Sequence, residues 1–240
     1  MGRGTKILIG AVVGVVVLLA AGFAVFKIWI ESDPEPEAEI VETDVVEGGV
    51  LDGTYTAFAG PADTPSFVGY RVVEVLAGGV VEQTATGRTG DVTGTFTITE
   101  NRVEEVSVTA NLQTLTSDRS QRDGAIRSRG LESDTFPEST FVLTEPIELP
   151  AEPGAGETVQ FTAVGDFTLH GVTRPVEIPL EGRWDGQTIQ VVGSLHVVFA
   201  DYDIEAPTSP AVASIGDEGD MEFQIFFQPS EPAEATTPSG

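Results

Sequence analysis

Few residues of this chain have types and spacing suited to chemistry. The segment SDRSQRDGAIRSRGL (117–131) gathers Arg119, Arg122, Arg127 and Arg129 around Asp118 and Asp123, in a chain with only 12 basic residues. A guanidinium fork fits the oxygens of a phosphate or another polar headgroup. The same arginines serve equally well as internal ion-pair partners that pin a short helix in place. The two histidines, His170 and His196, have no ligand-like spacing. His170, in LHGVT at a strand end, reads as a turn hydrogen-bonder, and His196, in SLHVVF, as an outward-facing strand residue. Glu104 and Glu105 are adjacent in a strand-like run, which places them on opposite faces and prevents them from acting as one acid–base couple. Asp201 and Asp203 lie in the polar loop DYDIEAPTSP (201–210) and match no known cation spacing.

There is no cysteine. Thiolate catalysis, disulfides, Cys-based metal sites and a lipid-bearing cysteine are excluded with it. No G-x-S-x-G and no P-loop occurs. Gly87, Gly90 and Gly94 precede no helical pattern and read as turn and bulge glycines. The expectation is a binding protein with no catalytic residue, no metal ligand and no cofactor. The formal net charge of −26, from 38 acidic residues against 12 basic ones, repels phosphate backbones and argues against nucleic acid as a partner.

Residues 7–26, ILIGAVVGVVVLLAAGFAVF, are uncharged and match the ~20 residues that cross a bilayer. Arg3 and Lys6 precede them and the acidic run ESDPEPEAE (31–39) follows, so the positive-inside rule leaves 1–6 in the cytoplasm and exports the remainder. Lys27 can snorkel to the interface beside Trp29. The run is longer than a signal-peptide core and lacks a clean small-residue cleavage site, which favours a retained anchor over 7–30. This predicts a single-pass protein of the cell membrane, its folded domain on the extracytoplasmic side. Residues 31–49 are acidic with two prolines in 34–36 and predict an extended, self-repelling tether. Residues 229–240 predict a disordered tail.

Between them, 50–228 is patterned with period two throughout. Val92, Gly94, Phe96 and Ile98 share one strand face, with Thr93, Thr95, Thr97 and Thr99 opposite; Asn101 marks a turn. Val106, Val108, Ala110 and Leu112 continue the apolar face within 102–115. Phe161, Ala163, Gly165, Phe167 and Leu169, then Val176, Ile178, Leu180, Gly182 and Trp184, then Met221, Phe223, Ile225 and Phe227 do the same. Further strands are expected at 53–58, 66–76, 139–148 and 187–199. Segment 117–131 breaks the alternation, and Ser117 and Asp118 suit a helix N-cap, so a short helix is expected there. Eight or nine strands with no helical repeats make an all-β barrel or sandwich. Closure removes unpaired edges, and an eight-stranded barrel is just wide enough for packed side chains or one ligand. The inward faces mix rings with Gly and Ala. The small residues can mark a narrowing barrel or a cavity kept open.

The segments SFVGYRVVEVL (66–76), GRTGDVTGTFTI (87–98), SVTANLQTLTSDRSQRDGAIRS (107–128), FPESTFVLT (136–144) and VGDFTLHGVTRPVEIPLEG (164–182) resemble, in order, the signatures of the YceI-like family. The resemblance implies a lipocalin-like, eight-stranded antiparallel β-barrel that holds a polyisoprenoid, such as a quinone or a polyprenyl phosphate, in a hydrophobic pore. Arg122 and Asp123 match the family's R-D pair. Where the family often has a histidine two residues on, this chain has Ala125, and where it often has paired aromatics, this chain has Gly130, Leu131 and Glu132.

The expected ligand-binding residues are Tyr70, Val72, Phe96, Val108, Leu112, Arg122, Phe141, Phe161, Phe167, Leu180 and Phe223. The expected partners are an isoprenoid lipid and, through the N-terminal helix, the membrane; a homodimeric state is left open. The competing expectation is an envelope interaction module whose barrel is filled and carries no lipid.

Overall fold

The computed structural model describes residues 17–23, 34–76, 81–149, 153–207 and 212–230. Its strands are β1 (Gly53–Phe58), β2 (Phe67–Leu76), β3 (Val81–Thr89), β4 (Val92–Thr99), β5 (Arg102–Asn111), β6 (Thr116–Ser117), β7 (Glu138–Leu143), β8 (Ile147–Glu148), β9 (Thr158–Leu169), β10 (Val172–Trp184), β11 (Ile189–Val198), β12 (Val212–Ile215) and β13 (Glu218–Pro229). The helices are α1 (17–23) and α2 (Ser120–Arg129).

Antiparallel pairing closes these strands into an eight-stranded barrel. β1 and β2 both pair with β13, one after the other along its length, so they form one stave broken by the loop 59–66. Ser66 bridges that break: its Oγ donates to Phe58 O at 2.7 Å and accepts from Phe226 N at 2.9 Å. β3 and β4 form the second stave, pairing with β2 and β1 in turn. Then follow β5, β7, β9, β10, β11 and β13, each paired with the next. Two hairpins have both central residues at positive φ, the geometry that matches strand twist. They are Glu100–Asn101 (50° and 65°) and His170–Gly171 (52° and 76°).

The mouth of the barrel is the end that carries α2; the base carries the β10–β11 hairpin at Asp185–Thr188. β10 keeps its ladder to β9 along Val172–Arg183, through Pro175 and Pro179, but pairs with β11 only from Leu180 to Trp184. Two prolines in a central strand are tolerated here because that side of β10 needs no donors toward β11.

Local physics overrides the simple alternation in three places. At Glu105 (φ 55°) a bulge shifts the β4–β5 register, so Val103 and Val106 both join the core although they are three apart. Glu104 and Glu105 therefore do not lie on opposite faces. Glu104 meets Arg102 at 3.5 Å, Glu105 accepts from Thr97 Oγ1 at 3.5 Å, and both face solvent. Residues 112–114 leave the expected strand for a 3₁₀ turn, because Asn111 Oδ1 accepts from Gln113 N at 3.0 Å and Leu112 turns into the core. The α2 helix starts at Ser120, and neither Ser117 nor Asp118 caps it. Ser117 instead accepts from Arg119 N at 3.2 Å and donates its hydroxyl to Asp123 Oδ1 at 2.6 Å.

Of the expected anchor, only 17–23 lies among the described residues. It is helical, with Val17, Leu18, Leu19 and Phe23 exposed. No helix among the described residues is long and apolar enough to cross a membrane. The tail from 231 onward also lies outside them.

The acidic segment, expected as a self-repelling tether over 31–49, lies from residue 34 against the barrel wall as a strap. Glu35 N donates to Thr86 Oγ1 at 3.1 Å. Arg71 donates to Glu35 O at 2.8 Å, and Arg88 donates to Pro36 O. Gln190 treats the strap as a neighbouring strand would, donating to Glu39 O and accepting from Val41 N, both at 2.9 Å. Val46 N donates to Asp185 O at 2.7 Å. The packing beyond it is tight: a Cβ on Gly186, whose φ is 100°, would sit 1.9 Å from Val46 O. Glu222, outward-facing on β13, is buried between Arg71 (3.3 Å) and Arg88 (2.9 Å). Of the strap carboxylates, Glu35 shares this cluster, 3.7 Å from Arg88.

Candidate functional site: the barrel lumen

The lumen holds two cavities. The lower, about 140 Å³, runs toward the base; the upper, about 330 Å³, opens under α2. Val68, Ser139, Phe167 and Met221 line both and form the waist between them. The lower cavity is walled by apolar side chains except for Ser139, Thr140, Glu157 and Arg183. A space of this size would hold many waters by volume but offers them few partners, so it suits hydrocarbon.

Glycine opposite an aromatic ring keeps the axis clear. The ring of Tyr70 lies over Gly87, its register partner, with Cε1 2.4 Å from where a Cβ would stand. Phe141 lies over Gly165 in the same way, Phe161 over Gly182, and Phe223 with Leu180 over Gly193. The missing side chains let large rings lie flat along the wall instead of reaching across it. The interior is therefore not filled solid, and four of its small positions, Gly87, Gly165, Gly182 and Gly193, are matched to rings.

All eleven residues singled out from the sequence border this space. Phe96, Val108, Phe141, Phe161, Leu180 and Phe223 line the lower cavity, Tyr70, Val72, Leu112 and Arg122 the upper, and Phe167 both. Ala125, Gly130 and Leu131, where the sequence departs from the family pattern, line the upper cavity as well. Arg119 borders it too, whereas Arg127 is exposed and donates to Gln113 O at 3.3 Å.

The mouth carries the polar groups. The Arg122 side chain, 10% exposed, donates to Glu74 Oε1 at 2.5 Å, to Asp118 Oδ1, and to Ser117 Oγ at 3.3 Å. Its partner is therefore not the adjacent Asp123. Glu74 is 3% exposed and also accepts from Gln83 Nε2 at 2.5 Å. Burial by itself would push the guanidinium down, but the hydrogen bond and charge of Glu74 outweigh it and leave Arg122 raised. Burial also drives the Tyr70 phenol upward, so it stays protonated. Tyr70 Oη and Arg122 Nε on the upper cavity are buried donors without a hydrogen-bond partner, as are Arg183 Nε and Trp184 Nε1 on the lower one.

Glu74 escaped the sequence reading. Its signal is the alternation Tyr70, Val72, Glu74, Leu76, which puts a carboxylate on the inner face of β2 and calls for an inward cation. The remaining polar candidates take structural positions. His170 is buried between Tyr202 O and Glu132 Oε2, each 3.0 Å away, and its ring packs tilted at 57° against Phe136. His196 is exposed and meets Asp220 at 3.0 Å. Asp201 pairs with Arg174 at 3.1 Å.

A closed eight-stranded barrel with an open apolar lumen and a helix at its mouth invites comparison with known families. The YceI-like domain model matches residues 64–227. The chain belongs to the YceI-like family. A UPF0312 protein of Vibrio parahaemolyticus is 30% identical to this YceI-like chain over 148 residues, 58% of this chain and 71% of that protein. Two solved structures share the fold. A polyisoprenoid binding domain from Saccharophagus degradans, implicated in plant cell wall breakdown, superposes with a TM-score of 0.55 at 20% identity, covering 73% of this chain and 98% of that one. BcnA of Burkholderia cenocepacia superposes with a TM-score of 0.52 at 16% identity, covering 67% and 95%.

Proposed function

We propose that this protein is a membrane-tethered, extracytoplasmic carrier that holds an isoprenoid lipid, a quinone or a polyprenyl phosphate, with its chain in the lower cavity and its head under α2. One observation carries the reading: an open apolar lumen whose two cavities share a waist and whose polar groups are concentrated at one end. Burial of hydrocarbon drives association. At ~0.8 kcal/mol per CH₂, each five-carbon unit offers roughly 3–4 kcal/mol before its lost freedom is counted. Tyr70 Oη and Arg122 Nε, the buried unpartnered donors under α2, orient the head. The structural relative from Saccharophagus degradans is described as polyisoprenoid-binding, which supports the ligand class. The uncharged run 7–26 and the flanking charge asymmetry support the anchor.

The test is mass spectrometry of an organic extract of the purified chain. A stoichiometric isoprenoid is expected. Preparations that are repeatedly lipid-free and that take up no added quinone would overturn the carrier reading in favour of an interaction module.

A further inference from the structure

The strap decides which end of the barrel can meet a bilayer. Followed from Val41 back to Glu35, the chain climbs the outer wall. Val41 and Glu39 sit on Gln190, which is level with Phe226 near the base. Pro36 and Glu35 sit on Arg88, Arg71 and Thr86; Arg71 and Thr86 are in register with Asp220, six residues mouthward of Phe226 along β13. The strap therefore points its N-terminal end at the mouth. Only residues 31–34 separate the apolar run, read as ending at Ile30, from the docked Glu35. At ~3.6 Å per residue, Thr86 lies within about 18 Å of the end of that run. Headgroups occupy about 5–8 Å of this distance. β10 has 13 residues, which at ~3.3 Å each and a tilt of about 40° gives a wall about 33 Å tall. Only one end of such a barrel can reach the lipid surface on so short a leash.

Charge at the mouth is mixed. Segment 117–131 carries four arginines and two aspartates, +2, in a chain of −26, and it sits on the mouth. Arg127 and Arg129 are exposed there. The neighbouring mouth loops carry Glu132, Asp134, Asp201, Asp203, Glu205, Asp217 and Glu218, so the strap rather than charge sets the orientation.

We infer that the docked strap holds the barrel mouth-down on the bilayer, so that α2 and the upper cavity face the headgroups and the β10–β11 hairpin faces away. The inference rests on the anchored reading proposed above. It turns the acidic segment from a free tether into a positioning element, and it lets a lipid pass between membrane and lumen without crossing water.

The test uses the full chain in vesicles of phosphatidylcholine and phosphatidylglycerol that carry a headgroup-linked acceptor dye. The chain has no cysteine, so Ser128→Cys on α2 and Gln187→Cys at the base give single labelling sites. Energy transfer to the headgroups should be several-fold stronger from position 128 than from 187. A Gly-Ser insert of about 20 residues between Ser32 and Asp33, with a reach of roughly 25 Å, should bring the two close to equal. Equal transfer in the native chain, stronger transfer from 187, or a gradient that survives the insert would overturn the inference. A chain that does not partition into the vesicles would overturn both it and the anchor, yet leave the lipid-extraction result standing. Lipid-free protein that still shows the gradient would uphold it while the carrier reading fails.

Discussion

The Arg122–Glu74 pair at the mouth offers a sharp test of whether the upper lumen is dry. Both side chains are withdrawn from water, at 10% and 3% exposure, and share a 2.5 Å contact. Two unit charges about 4 Å apart at an effective dielectric near 20 attract by about 4 kcal/mol. Desolvation of both charges offsets much of that gain, so the pair adds little net stability. Breaking it is another matter. Arg122→Met leaves the Glu74 carboxylate buried with only Gln83 beside it, at an expected cost of about 3–5 kcal/mol. For a domain of this size each kcal/mol moves Tm by about 2–4 °C, so a fall of roughly 6–20 °C is expected. Glu74→Leu combined with Arg122→Met removes both charges and should recover the native stability or exceed it by about 1–4 kcal/mol. Urea unfolding of the four proteins, freed of lipid, measures the cycle through Cm at constant m. Arg122→Met costing under about 1 kcal/mol, the value of an exposed pair, would refute the argument and mean that water fills the mouth. The double variant also separates chain from head: it should still hold a neutral quinone but lose preference for a polyprenyl phosphate.

Three further outcomes follow from the geometry. Phe161→Arg and Phe167→Arg each put a charge into the apolar lumen, so lipid recovered by extraction should fall to a small fraction of native; full retention by a folded double variant would place these faces outside. Gln190→Ala removes the amide that serves Glu39 O and Val41 N, at about 1–3 kcal/mol of strap docking, and should speed hydrogen exchange at Val41 and proteolysis within 34–47. His196 is raised above the usual histidine value of ~6.5, chiefly by its hydrogen bond to Asp220. A raised folded value means that the pair stabilises below about pH 6.5 and that the benefit is lost as pH rises through the folded value. NMR titration should show the elevation, and Asp220→Asn should lower it; its full exposure makes the effect salt-sensitive.

Most of the barrel was legible because period-two patterning is local. The inner residues of β4, β9, β10 and β13 could be picked out one by one, and all eleven proposed lining residues border the lumen. β3 was missed because QTATGRT carries almost no apolar alternation, its inner positions being small or polar where Tyr70 lies across Gly87. The bulge at Glu105 was missed because a left-handed φ at a non-glycine residue leaves no compositional trace.

By itself the sequence determined an all-β chain of eight or nine strands with one apolar face each, the absence of thiol chemistry, the basic segment in an acidic background and the uncharged N-terminal run, since each is a property of neighbours in the chain. Only the tertiary structure decided the rest. Arg122 meets Glu74 across 48 residues, and Gln190 meets the strap across about 150. Whether the lumen stays open depends on rings from one strand lying flat over glycines on the next. Such pairings are fixed by barrel closure and stagger, which set which distant residues become neighbours and which no local pattern encodes.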